Sequence, residues 1–246
     1  FKASPAIRRV VEEAGNALHA LGAHVEQWTP PDVSQAVRLF FSIFTADGAA
    51  SLRRALGPDK AMPQISGILQ SSGMPRPMRK LVATIMQSSG QERLASVLRV
   101  VGARTTEDFW KLVEERNQYR QRFIQSLDAG RFDAILCPPT SLPAVLHGST
   151  ANLLDFDSYA RLYNVLGMPA GVVAAGRVRA GEESDRQPSK DTAEQTALQV
   201  EKGSAGLPVG VQVVARHWRE DVALAVMSAL EKYFRTQPDY PARPPV

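Results

Sequence analysis

Three short stretches of this chain are apolar at nearly every position: Phe132–Cys137, Gly171–Val178 and Val209–Ala215. A strand with one wet face alternates apolar and polar residues; a stretch without alternation must be covered on both sides. Pro138-Pro139 closes the first stretch abruptly. Segments with helical spacing separate the three. The expected architecture is therefore α/β, with a central β-sheet covered by helices.

The helical segments carry their own punctuation. Ser4 and Pro5 suit the start of a helix over 4–21, with Ile7, Val10, Val11, Ala14, Leu18 and Leu21 on one face and Gly22 at its end. His24–Trp28 then reads as a short strand. Asp32 starts a second helix, expected to run to Leu56, and Gly57-Pro58 breaks it. Thr106, with Glu107 and Asp108 in the first turn, starts a long helix ending near Asp128. Shorter helices are expected over 156–166 and around Val222–Leu230. Residues 180–203 are polar with almost no apolar spacing and read as a surface insertion. The tail, Pro238–Val246, reads as extended.

Composition is that of an ordinary globular protein: 246 residues, 44% hydrophobic and 22% charged, with a net charge of +4. Cys137 is the sole cysteine, so no internal disulfide can form. There is no basic-then-apolar leader pattern and no run of about 20 apolar residues. An intracellular setting is expected, cytoplasmic or at a membrane surface. Phe1 in place of Met reads either as the result of removal of a preceding stretch or as the start of a segment of a longer protein. No Gly-x-Ser-x-Gly, Ser-x-x-Lys, phosphate loop or dinucleotide fingerprint occurs. The histidines (His19, His24, His147, His217) lack metal-ligand spacing. No metal, cofactor or nucleic-acid partner is expected.

Three blocks in fixed order narrow the reading. They are Phe132–Thr140 (FDAILCPPT), Tyr163–Val173 (YNVLGMPAGVV) and Gly206–Ala215 (GLPVGVQVVA), with a charged excursion before the last. Together they resemble the C-terminal part of the amidase-signature enzymes, and the excursion resembles the fatty-acid amide hydrolase branch. Ser42–Gly48 and Trp110–Tyr119 are similar to that branch as well. The resemblance implies the C-terminal portion of a mixed, helix-covered amidase domain over residues 1–246. It implies serine hydrolysis of a linear amide C–N bond by a Ser-Ser-Lys triad lying in an N-terminal half. No residue here matches that triad, so no catalytic residue is assigned and the chain alone is expected to be inactive. The missing half is then a partner, together with a small-molecule amide substrate.

The same resemblance places channel walls at Phe40, Phe44, Leu154, Asp157, Arg161 and Leu162. Asp157 and Arg161 stand where the branch has aliphatic residues, at a helical i,i+4 spacing that lets them pair. Exposed, they carry no special meaning; lining the channel, they would favour a shorter or more polar amide. Residues 61–104 match the position of a membrane cap. They hold six basic residues and one acid, and Met78, Leu81, Val82, Ile85 and Met86 form an apolar stripe. Arg76, Arg79, Lys80, Leu81 and Ile85 are the expected contacts with an anionic membrane surface; a solvated basic face over a core stripe is the alternative. An amidotransferase amidase subunit and a non-catalytic interaction module are the other functional readings. A sheet cut partway leaves an edge and apolar helix faces, so poor solubility or oligomerisation, a homodimer being one form, is expected of residues 1–246 alone.

Overall fold

The computed structural model describes residues 1–243, and of Gln64 only the backbone. Residues 244–246, the end of the expected extended tail, lie outside the described residues. The elements run α1 (Pro5–Ala20), α2 (Val33–Phe44), α3 (Ala50–Leu56), α4 (Pro63–Gly73), α5 (Arg76–Ser88), α6 (Glu92–Val100) and α7 (Thr106–Ala129). Then come β1 (Ala134–Cys137), α8 (Ser158–Leu166), β2 (Ala170–Arg177), α9 (Thr192–Glu201), β3 (Pro208–Ala215) and α10 (Glu220–Phe234).

The three apolar stretches form one sheet in the order β1-β3-β2, antiparallel at both pairings. Central β3 is covered on both sides, as its lack of alternation demands. Val209, Val211 and Val213 meet Ile7, Val10 and Ala14 of α1 and Leu230 and Phe234 of α10. Val214 meets Tyr119, Phe123 and Leu127 of α7 and Leu162, Tyr163 and Leu166 of α8. Burying side chains of this size stabilises the fold by about 1.5–3 kcal/mol each, before the entropy of ordering them is counted. Gly210 matters for the pairing: a Cβ there would sit 2.6 Å from the Val173 carbonyl oxygen, where β2 bulges between Ala174 and Gly176.

Three expectations about the elements of the fold differ from the structure. His24–Trp28 is not a strand, because no neighbouring strand pairs with it among the described residues. Instead Trp28 packs edge-on to Phe123 at 5.3 Å and donates its indole N–H to Ser126 Oγ at 3.2 Å. The expected helix from Asp32 to Leu56 is split into α2 and α3. Gly48 and Ala49 take left-handed backbone angles (φ 66° and 63°), and Asp47 Oδ2 accepts the Ser51 N–H at 2.7 Å to start α3. The Thr45 hydroxyl donates to Phe41 O at 2.7 Å and accepts the Gly102 N–H at 2.9 Å, anchoring the loop after α6 to this break.

The third difference is in 180–203, where α9 buries Ala193, Ala197 and Val200 despite the polar sequence. Charges hold it down. Arg186 donates to Glu194 Oε2 at 2.6 Å and Glu201 Oε1 at 2.9 Å, and Arg93 of α6 donates to Glu194 Oε1 at 2.5 Å. Asp191 caps two helices at once, accepting from Ala193 N of α9 at 2.8 Å and Arg93 N of α6 at 3.3 Å. Gln91 adds a pair of backbone bonds, to Lys190 O at 2.8 Å and from Thr192 N at 2.9 Å. The excursion is thereby clasped to the first turn of α6.

Candidate substrate channel and cap

Asp32 caps α2 by accepting the Gln35 N–H at 3.0 Å, which fixes the face that the helix turns to its neighbours. Three phenylalanines follow from that start. Phe40 and Phe44, four apart, stack in parallel with centroids 5.6 Å apart and planes 8° from coplanar. Phe41 meets Phe40 edge-on at 5.4 Å and is buried. Phe44 remains 57% exposed, so the stack ends in an open aromatic face.

Arg161 of α8 lies against this aromatic group. Its guanidinium carbon is 4.8 Å from the Phe40 centroid and 4.7 Å from that of Phe41. One Nη donates to Asp155 Oδ1 at 3.2 Å; the other donates to Leu154 O at 2.8 Å and to Asp157, four residues back. The Arg161 side chain is 8% exposed, Asp155 12% and Asp157 40%. Arg161 is thus a buried brace behind the phenylalanines, and its charge is spent on two carboxylates.

Of the six residues placed on the channel, Phe40, Phe44, Leu154, Asp157 and Arg161 come together. Leu162 does not: it is 5% exposed and packs in the core beneath the sheet with Tyr163 and Leu166. One turn of α8 explains this, since neighbouring residues point about 100° apart. Asp155 was missed, because it precedes the helix and has no helical spacing to Arg161. Phe41, Val97 and Val101, which pack with Phe40 and Leu154, were missed as well. A cleft of about 540 Å³ opens between α2 and α6; Val33, Val37, Phe41, Val97 and Val100 line it together with Arg38, Arg93, Arg99 and Asp155, and none of the six residues placed on the channel does.

The other polar cluster is inert. Cys137 is buried and accepts from Gln212 Nε2 at 3.2 Å. Burial pushes its thiol above the ordinary value, and burial pushes the Tyr163 phenol well up. A thiol kept protonated is a poor nucleophile. Among the described residues, no three His, Cys, Asp or Glu side chains are grouped to hold a metal.

In the cap region Met78, Leu81 and Ile85 are 53%, 62% and 58% exposed and share one arc of α5, with Met62 nearby in sequence at 63%. Arg79 corrects an expectation: it is 4% exposed and unavailable to a surface. It sits on the same arc as buried Ala83, and its Nη1 donates to Met74 O at 2.6 Å. Arg76 and Lys80 are exposed, but helical geometry turns them about 150° from the apolar arc. No helix among the described residues is long and apolar enough to cross a membrane.

Comparison with known proteins bears on the family and the fold. The chain is 27% identical over 234 residues to fatty acid amide hydrolase 1 of Caenorhabditis elegans, which covers 94% of this chain and 41% of that protein. It is 29% identical over 237 residues to fatty-acid amide hydrolase 1 of Sus scrofa, covering 93% and 40% respectively. A solved fatty acid amide hydrolase shares the fold with a TM-score of 0.68 at 17% identity, over 96% of this chain and 38% of that one. The chain therefore spans about two fifths of the length of the relatives it matches. The amidase family model matches residues 1–224, and the chain belongs to the amidase family.

Proposed function

We propose that this chain supplies the acyl-channel wall and a membrane-facing cap of an amide hydrolase acting on carboxylic amides with an apolar acyl group. The observation that carries the reading is the Phe40–Phe44 stack, whose open end is an exposed apolar surface. The bracing of Arg161 supports it further, because a charge neutralised behind the aromatic wall does not repel an acyl chain. The bond-breaking residues belong to a part of the enzyme outside residues 1–246. The isolated chain is accordingly expected to show no amide turnover.

The test uses the enzyme that carries this chain. Phe44 is 57% exposed, so Phe44→Ser removes its stacking on Phe40 but leaves the buried core in place. The ratio of kcat/KM for long-chain over short-chain amides is expected to fall about tenfold, the scale of one apolar side chain's burial. An unchanged ratio removes Phe44 from the channel, and normal turnover by residues 1–246 alone removes the division of labour.

The membrane contact rests on the Met78, Leu81 and Ile85 arc. Sedimentation with vesicles is expected to rise with anionic lipid, fall with salt, and drop more than tenfold in the Leu81→Glu, Ile85→Glu double variant. Sedimentation indifferent to the double substitution would sink the contact.

A further inference from the structure

α2 and α6 run in the same direction. The Gly102 N–H donates to Thr45 Oγ1 at 2.9 Å and ties their C-terminal ends together, and Phe41, Val97 and Val101 pack just before that tie. From Phe41 and Val100 back to Val33 and Arg93, the cleft of about 540 Å³ lies between the two helices, a volume typical of small-molecule sites. Its floor is apolar, made by Val33, Val37, Phe41, Val97 and Val100. Three guanidinium groups and one carboxylate, Asp155, share the rest of the lining with serine hydroxyls such as those of Ser34 and Ser96.

The charges of this lining do not cancel. Asp155 is already committed, accepting from Arg161 at 3.2 Å. Arg38 and Arg93 pair outward, with Glu115 and Glu194, and neither of those acids lines the cleft. The pairing holds both forks in place, and the Phe1 ring, 4.2 Å from the Arg93 guanidinium carbon, steadies one of them further. Each pair uses one Nη, which leaves other N–H donors on each guanidinium. Arg99 donates to Gln87 Oε1 at 2.5 Å and meets no carboxylate within ion-pair distance among the described residues. The cleft thus sets a cation without an anionic partner, and two fixed forks, around an apolar floor.

We propose that the cleft between α2 and α6 binds a fatty carboxylate, with its acyl chain on the valines and Phe41 and its carboxylate at the arginines, Arg99 above all. A planar guanidinium matches a carboxylate in shape and charge, and an alkyl chain is the part of such a ligand that gains from the floor. A fatty carboxylate is also the acid that hydrolysis of an acyl amide releases. That source rests on the amide-hydrolase reading; the binding site does not. The cleft is separate from the channel wall but adjoins it through one ring, since Phe41 lines the cleft and meets Phe40 edge-on at 5.4 Å.

The experiment uses the enzyme that carries this chain and a dodecanoate bearing a mid-chain diazirine. Irradiation is followed by peptide mass spectrometry. Saturable adducts within residues 93–100 of α6 are expected, displaced by unlabelled dodecanoate. The concentration giving half-maximal labelling is expected to rise about tenfold in Arg99→Gln, the loss of one charge-assisted contact. Arg99 is exposed, so this substitution spares the core. Val100→Phe, which fills the floor, is expected to lower labelling too, and Phe44→Ser to leave it unchanged. The diazirine alcohol of the same length is expected to label this segment about tenfold more weakly. Equal labelling by acid and alcohol, or by wild type and Arg99→Gln, overturns recognition of the carboxylate. Absence of adducts from 93–100 overturns the site, and loss of labelling in Phe44→Ser does so by moving the acid to the channel. Amide turnover by the same enzyme is read separately: its absence removes the hydrolase reading and leaves the labelling result in force.

Discussion

Arg161→Leu is expected to destabilise the chain by about 3–5 kcal/mol, because it leaves Asp155 as a buried carboxylate without its cation. For a chain of this size that lowers the thermal midpoint by roughly 6–20 °C. The substitution also removes the stacking surface shared by Phe40 and Phe41. Adding Asp155→Asn is expected to restore part of the loss, since the unpaired charge is then gone. Arg161→Lys is not expected to restore it: an ammonium cannot serve Asp155, Asp157 and the Leu154 carbonyl with one planar fork. Equilibrium denaturation of the four proteins measures this, and a cost under about 1 kcal/mol for Arg161→Leu would show a solvated pair instead.

Arg186→Met is the second large effect, again about 3–5 kcal/mol, from stranding the buried Glu201 carboxylate and leaving Glu194 with Arg93 alone. The two acids of this clamp respond to pH with opposite signs. For Glu194 burial raises the pKa, but hydrogen bonds from Arg186 and Arg93 outweigh it and the result lies below the ordinary value. Its contribution is present above the ordinary glutamate range and is lost as pH falls through its depressed pKa. For Glu201 burial raises the pKa, and Ser184 and Arg186 only partly offset it. Its contribution is full below the ordinary range and is lost as pH rises through its elevated pKa. Glu194→Gln is therefore expected to destabilise at pH 7 and to become nearly neutral in strong acid, whereas Glu201→Gln costs less than Glu194→Gln at pH 7. Denaturation midpoints across pH, with hydrogen exchange of α6 and α9 amides, read both. Identical profiles for the two variants would contradict the assignment.

These two clusters also show what a sequence can reveal. Asp157 and Arg161 were legible as a pair because helix spacing is a local property. The burial of Arg161 was not, because it depends on α2 crossing α8 and on Asp155, which no periodicity links to Arg161. In 180–203 the sequence showed polar residues and no apolar stripe, yet Arg186 is enclosed with a side-chain exposure of 4%. Its partners lie 8 and 15 residues away, on α9, and no short-range pattern signals such a network. Arg79 is the counterpart in the cap. Its place among Arg76 and Lys80 made it read as a surface cation, and only the missing side chain of Gly102, in the loop after α6, makes room for it inside.

By itself the sequence determined the covered sheet, the order of most helices and the family blocks. Each of these follows from local patterns: absence of alternation in the strands, caps and breakers at the helix ends, and Gly or Pro where the backbone must turn. Only the tertiary structure decided which charged residues are inside, that Leu162 belongs to the core, and that His24–Trp28 has no strand to pair with. Those outcomes depend on contacts between segments far apart in the chain, where an arginine is a surface cation or a buried brace according to what packs across from it.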